Sequence, residues 1–152
     1  MHSKPELGRD VNPFQQLDQI VRELRSPGGC PWDRKQTGPS LKKYLLEEAA
    51  ELAKAIDNND QNNIREEIGD MYFILALLAF VYEEQDGIPV TYPVQKICDK
   101  MVRRHPHVFA RKEGQSGQSL SEEQLREQWE RIKQEEKVEK SEKAERAAGK
   151  KK

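Results

Sequence analysis

At 152 residues the chain is long enough for one domain and too short for two comfortable ones. Hydrophobic residues make up 35% and charged residues another 35%, so the core must be modest, and apolar faces too large for it become subunit interfaces. Lys plus Arg of 26 against Asp plus Glu of 27 leaves a net charge of -1. Bulk charge therefore selects neither nucleic acid nor an acidic partner, no nucleic acid partner is expected, and any preference rests on local patches.

Cys30 and Cys98 are isolated, with no CxxC spacing and no companion histidine pattern. They read as reduced small hydrophobes of a cytoplasmic protein rather than a disulfide or a zinc site. The opening MHSKPELGRD holds no apolar run, so no signal peptide is expected. The longest apolar stretch, Met71 to Tyr82, spans 12 residues and falls short of the roughly 20 a bilayer requires. No membrane partner is expected.

In chain order, residues 1–11 read as a tail, and Asn12-Pro13 as an N-cap with proline at N1. Phe14, Leu17, Ile20, Val21 and Leu24 follow at helical spacing to about Arg25. SPGGCPWD reads as a loop forced by two prolines and Gly-Gly. A second helix is expected from Pro39, with Leu41, Tyr44, Leu45, Leu46, Ala49, Leu52, Ala53 and Ile56 as its apolar positions, and the polar turn 57–63 after it. A third is expected from about Asn63 to Gln85, apolar nearly all round, which places it at a bundle centre or a subunit interface. Tyr92-Pro93 starts a fourth that stops before His105-Pro106. RKEGQSGQ, 111–118, reads as a flexible loop, and Ser121 with Gln124 as a capping box for a last helix through Leu125, Trp129 and Ile132. The folded domain spans 12–133, and 134–152 is a charged tail, either a solvated helical extension or disordered. No strand and no repeat is evident, so the predicted fold is an all-α bundle.

Chemistry concentrates in two acidic pairs. Glu48 and Glu51 stand at i and i+3 on the second predicted helix, Glu67 and Asp70 at the same spacing on the third. Side chains so spaced are neighbours, about 5–6 Å apart at Cβ. A short turn makes the two helices antiparallel, so the pairs can face each other. Four carboxylates brought together repel, and an all-oxygen set suits Mg²⁺ or Mn²⁺ and disfavours zinc. The alternative is a solvated acidic face, with Lys54 as ion-pair partner of Glu51 and Glu47 and Glu66 at the surface. A di-iron centre wants Glu-x-x-His on two helices, and no histidine stands three residues after a helical glutamate.

A metal-bound substrate would be an anion. Lys100, Arg103 and Arg104 lie on the last turn of the fourth predicted helix, suited to phosphate or, equally, to the negative end of the helix dipole. Trp129 and Lys133 share a face of the last helix, where the tryptophan either stacks on a base or packs the helix. The Pro-Gly-Gly turn lacks GxxxxGK[ST] and is no P-loop.

LRSPGGCPWDRKQT, YLLEEAAEL, EEIGD and RRHPHVF, in this order, resemble a MazG-type nucleoside triphosphate pyrophosphohydrolase over about residues 14–133. The EExxE…ExxD pattern falls on Glu47, Glu48, Glu51, Glu67 and Asp70. The resemblance implies an all-α homodimer with Mg²⁺-dependent hydrolysis of nucleoside triphosphates to the monophosphate and pyrophosphate. It implies Glu48, Glu51, Glu67 and Asp70 as metal ligands with Glu47 in support, and Lys100, Arg104, Trp129 and Lys133 as nucleotide contacts. Arg103, beside Arg104, is a further candidate contact, and a glutamate not fully committed to metal, Glu47 or Glu48, is the expected acceptor of the attacking water's proton. Two departures stand out: one such domain where some members carry two, and Ala50 where an aromatic is common. The rival readings are a non-catalytic nucleotide-binding or structural dimer, and a pyrophosphatase for a narrower nucleotide such as dUTP.

Overall fold

A computed structural model describes residues 12–110 and 120–149. The predicted tail at 1–11 and the loop at 111–118 lie outside the described residues. All regular structure among the described residues is helical: α1 (Pro13–Arg25), α2 (Pro31–Arg34), α3 (Gly38–Asp57), α4 (Gln61–Asp86), α5 (Thr91–Arg104), α6 (Pro106–Phe109) and α7 (Glu122–Gly149). The chain divides into two compact units, Met1–Tyr92 and Pro93–Lys152.

In the first unit the caps set the helix ends. Asn12 accepts from the Phe14 N–H at 2.9 Å, and Pro13 supplies the preset φ of a first helical residue. The following segment, expected as a loop throughout, makes one helical turn, α2. Pro31 at its start and Asp33 in its first turn favour that turn, and four residues are too few to show a period. Arg25 holds it in place by donating to the Asp33 and Gln36 carbonyls and to Glu84 on α4.

Thr37 opens α3 with a reciprocal capping box to Ser40. At Gly38 the Tyr82 side chain lies against the start of α3, and a methyl group there would push the tyrosine hydroxyl aside. After Asn58, Asn59 takes a left-handed φ of 53°, and Asp60 caps α4 by accepting from the Asn63 N–H at 3.1 Å. The cap is Asp60, so α4 starts two residues ahead of the predicted Asn63. It closes on Gly87 at φ 73°, a conformation that favours glycine.

Three helices build the core. Val21 of α1, Leu41 of α3, and Leu77 and Val81 of α4 are fully buried, with Tyr44, Phe73, Ala76, Leu78 and Phe80 packed around them. α4 carries two apolar stripes. Ile74, Leu77 and Val81 point inward, while Ile68, Tyr72, Leu75 and Tyr82 stay 40–48% exposed along another face.

In the second unit α5 buries no residue, and His105 begins the short turn α6. The predicted capping box forms: the Ser121 N–H donates to Gln124 Oε1 at 2.9 Å and the Gln124 N–H to Ser121 Oγ at 3.2 Å. α7 then runs on past Lys133 to Gly149, so the extension beyond Lys133 is helical, and it buries Glu136. Among the described residues no helix is long and apolar enough to cross a membrane.

Leu77 is 0% exposed at the meeting point of the three helices. Leu77→Ala should lower the unfolding free energy by about 2–5 kcal/mol in a urea titration. A loss below about 1 kcal/mol would place Leu77 outside the core.

Candidate metal centre

The turn at Asn58–Asp60 fixes the register of α3 against α4. Counted from Asn59, Glu51 and Glu67 each lie eight residues away, and Glu48 and Asp70 each lie eleven. With equal rise on both helices, Glu51 comes level with Glu67 and Glu48 with Asp70. Around α4, Glu67 and Asp70 sit in phase with Ile74, Leu77 and Val81, the stripe that packs inward. The acids are thus carried to the seam by the same periodicity that buries the core.

Glu48, Glu67 and Asp70 each bring a carboxylate oxygen within 4.8 Å of the others. Glu67 is buried, Glu48 half-buried and Asp70 exposed, so the cluster opens to solvent on one side. Glu51 lies outside that set and is exposed, although its charge acts on Glu67. Glu47 turns to Lys43, 3.6 Å away, and remains well exposed. Lys54 makes no ion pair with Glu51, nor does any cation bridge Glu48, Glu67 or Asp70 among the described residues.

Two observations separate this cluster from an ordinary acidic surface. Oε2 of Glu67 is buried without a hydrogen-bond partner, and native proteins rarely leave a buried acceptor so. Burial raises the Glu67 carboxyl above its ordinary value, and the charges of Glu51 and then Asp70 add to it. Glu48 is raised likewise, by burial first and then by Asp70, Glu51, Glu67 and Glu47. An oxygen-preferring divalent cation fits this donor set, because it would satisfy the orphaned oxygen and offset the repulsion together. No thiol or imidazole belongs to the cluster.

The predicted nucleotide contacts occupy the second unit, where several already have partners. Arg103 donates to Glu136 Oε1 from Nε at 2.9 Å and Nη2 at 2.6 Å. Arg104 reaches Oε2 from Nη2 at 2.6 Å and Nε at 3.2 Å. Its guanidinium stands over the Trp129 ring, 5.0 Å from the centroid, and His105 meets that ring edge-on at 5.1 Å. Lys133 pairs with Glu130 at 3.0 Å, and Lys100 is half-buried. Glu136 was invisible to sequence reasoning inside a charge-rich run. Its one signal is phase, seven residues after Trp129 and four after Ile132, on the face those two define.

An all-helical unit built on an α-hairpin, with facing acids at its seam, defines a class of helical domain whose carboxylates could hold a metal ion. Residues 36–109 match the MazG nucleotide pyrophosphohydrolase domain. The chain is 40% identical over 124 residues to the nucleoside triphosphate pyrophosphohydrolase/pyrophosphatase MazG of Thermotoga maritima, covering 82% of this chain and 45% of that protein. It is 38% identical over 129 residues to the nucleoside triphosphate pyrophosphohydrolase of Escherichia coli K12, covering 84% and 47%. An uncharacterized protein of Bacillus subtilis, YabN, is 43% identical over 124 residues, covering 82% of this chain and 24% of its own length. The chain thus spans a quarter to about half the length of these relatives. The crystal structure of a mazG-related protein from Thermotoga maritima superposes with a TM-score of 0.66 at 32% identity, covering 79% of this chain and 98% of that one. The chain belongs to the MazG nucleotide pyrophosphohydrolase domain family.

The pKa shifts set the pH dependence of the metal-free protein. Glu48 and Glu67 are raised from 4.5, so above that pH the folded state holds protons that the unfolded state has lost. Their contribution to stability therefore declines as pH rises from 4.5 through the folded values. Glu136, lowered to about 2 chiefly by its hydrogen bonds with Arg104, acts oppositely: its contribution is present above 4.5 and is lost as pH falls. Glu48→Gln removes part of the first effect and none of the second. In chelator, the melting midpoint of Glu48→Gln should gain on the wild type as pH is raised from about 4.5 to about 8. A difference that stays flat with pH would show that Glu48 does not sit among like charges.

Proposed function

We propose that the chain hydrolyses nucleoside triphosphates at the α-phosphorus, giving the monophosphate and pyrophosphate, with Mg²⁺ or Mn²⁺ held by Glu48, Glu67 and Asp70 and with Glu51 joining them. The observation that carries this reading is the buried, unpartnered Oε2 of Glu67, facing acids that no cation of the described chain neutralises. Membership of the family and the names of its relatives support the reaction class.

When bound, the ion supplies the positive charge that phosphate oxygens and an attacking water require. The chain's own residues do the rest. Glu48, half-buried and raised in pKa, accepts the proton of the attacking water as the new oxygen–phosphorus bond forms. The bond to the α–β bridging oxygen breaks, and pyrophosphate leaves with that electron pair. Glu47, exposed and paired with Lys43, stands one position before Glu48 and acts on that carboxyl through its charge. Lys100, Arg103, Arg104 and Lys133 are the proposed contacts for the phosphate charge, and Trp129 for the base. A panel of NTPs and dNTPs scored for pyrophosphate against orthophosphate tests the reaction. Pyrophosphate should appear with Mg²⁺ or Mn²⁺, poorly with Zn²⁺ and not in chelator. Glu48→Ala and Asp70→Asn should each slow turnover by roughly a hundredfold or more. Full turnover in chelator, or unchanged rates in both variants, would sink the reading.

We further propose a homodimer formed through α4. Ile68, Tyr72, Leu75 and Tyr82 follow one another at spacings of four, three and seven on one face, with Phe14 standing edge-on to Tyr72 at 5.3 Å. An apolar stripe of this kind is what a second copy of the helix would cover. Light scattering at micromolar concentration should report twice the 17.6 kDa of the chain, and Leu75→Glu should halve it. A monomeric wild type would remove the proposal.

A further inference from the structure

Two guanidinium groups brought close together repel, and an anion between them offsets that repulsion. Here both forks converge on one carboxylate. Arg104 grips both oxygens of Glu136 side-on, Arg103 closes on Oε1, and the shortest bond from each is 2.6 Å. The carboxylate arrives from another helix, 32 and 33 positions along the chain, so the pairing is tertiary rather than an i, i+4 accident. A planar guanidinium fork receives carboxylate and phosphate oxygens in the same way. The same contact parks Arg104 over Trp129, so a base approaching that face of the ring meets the guanidinium first.

We infer that Glu136 is the resident anion of an oxyanion site built by Arg103 and Arg104, and that the phosphate oxygens of the incoming nucleotide displace it. Glu136 then sets the affinity of the site by competition: it raises the KM for every anion the site accepts. The inference rests on the proposed role of Arg103 and Arg104 as nucleotide contacts. Held well below the ordinary carboxylate range, Glu136 stays ionised throughout the neutral range, so a competing anion and not a proton releases it.

The probes are inorganic tripolyphosphate and ATP with Mg²⁺, used on the full chain. Glu136→Gln keeps the shape and removes the charge, and it should lower the tripolyphosphate dissociation constant and the KM for ATP by roughly three- to tenfold. A second measurement covers the case in which Glu136→Gln fails to fold. In Trp32→Phe, Trp129 is the only tryptophan of the chain's 2 that remains, and its emission should shift on adding tripolyphosphate as Arg104 leaves the ring. If Arg104→Ala changes neither constant, the reading of these arginines as nucleotide contacts fails, and the inference with it. If Arg104→Ala weakens binding and Glu136→Gln weakens it too, Glu136 holds the arginine in place for the substrate, and displacement alone is overturned. An unshifted emission at saturating tripolyphosphate overturns displacement equally.

Discussion

Glu67 sets the terms for the first unit, because a buried carboxylate oxygen with no partner must be held against its own electrostatics. What holds it is the packing of α3 on α4, anchored further along by Leu41, Leu77 and Val81. Apolar burial at one end of the seam thus keeps acidic groups together at the other. A divalent cation held at the seam would reverse that local destabilisation.

Much of this was legible in the sequence. The i, i+3 pairs and the apolar period together place the acids on the inward faces of two neighbouring helices, and the structure brings Glu48, Glu67 and Asp70 together. Capping chemistry was equally readable at Asn12 and Ser121, where a side-chain oxygen meets an orphan N–H. Periodicity failed where the element was too short to have any, as in α2. It also failed to separate Glu51 from its neighbours, because spacing reports which face a residue occupies and not how far its side chain is covered.

The second unit shows a different limit. A basic cluster at a helix C-terminus reads identically whether it awaits a phosphate or already has a carboxylate. Arg103 and Arg104 have one, and it comes from a stretch whose composition resembles a solvated run. Tertiary ion pairs between distant helices leave no local pattern, since neither partner changes the period of its own helix. Only the phase of Glu136 with Trp129 and Ile132 hinted at burial.

The turn between α3 and α4 is short, polar and exposed, the sort of connection in which length variation is ordinarily harmless. The first turn of α4 is less forgiving. A residue added inside it would rotate the rest of that helix by about 100° relative to its start. Glu67 and Asp70 would leave the seam along with Ile74, Leu77 and Val81. Such a chain would either loop out the added residue to re-form the core or keep a regular helix with its acids in solvent. The core and the acidic cluster thus share one helical phase, and neither can be shifted without the other.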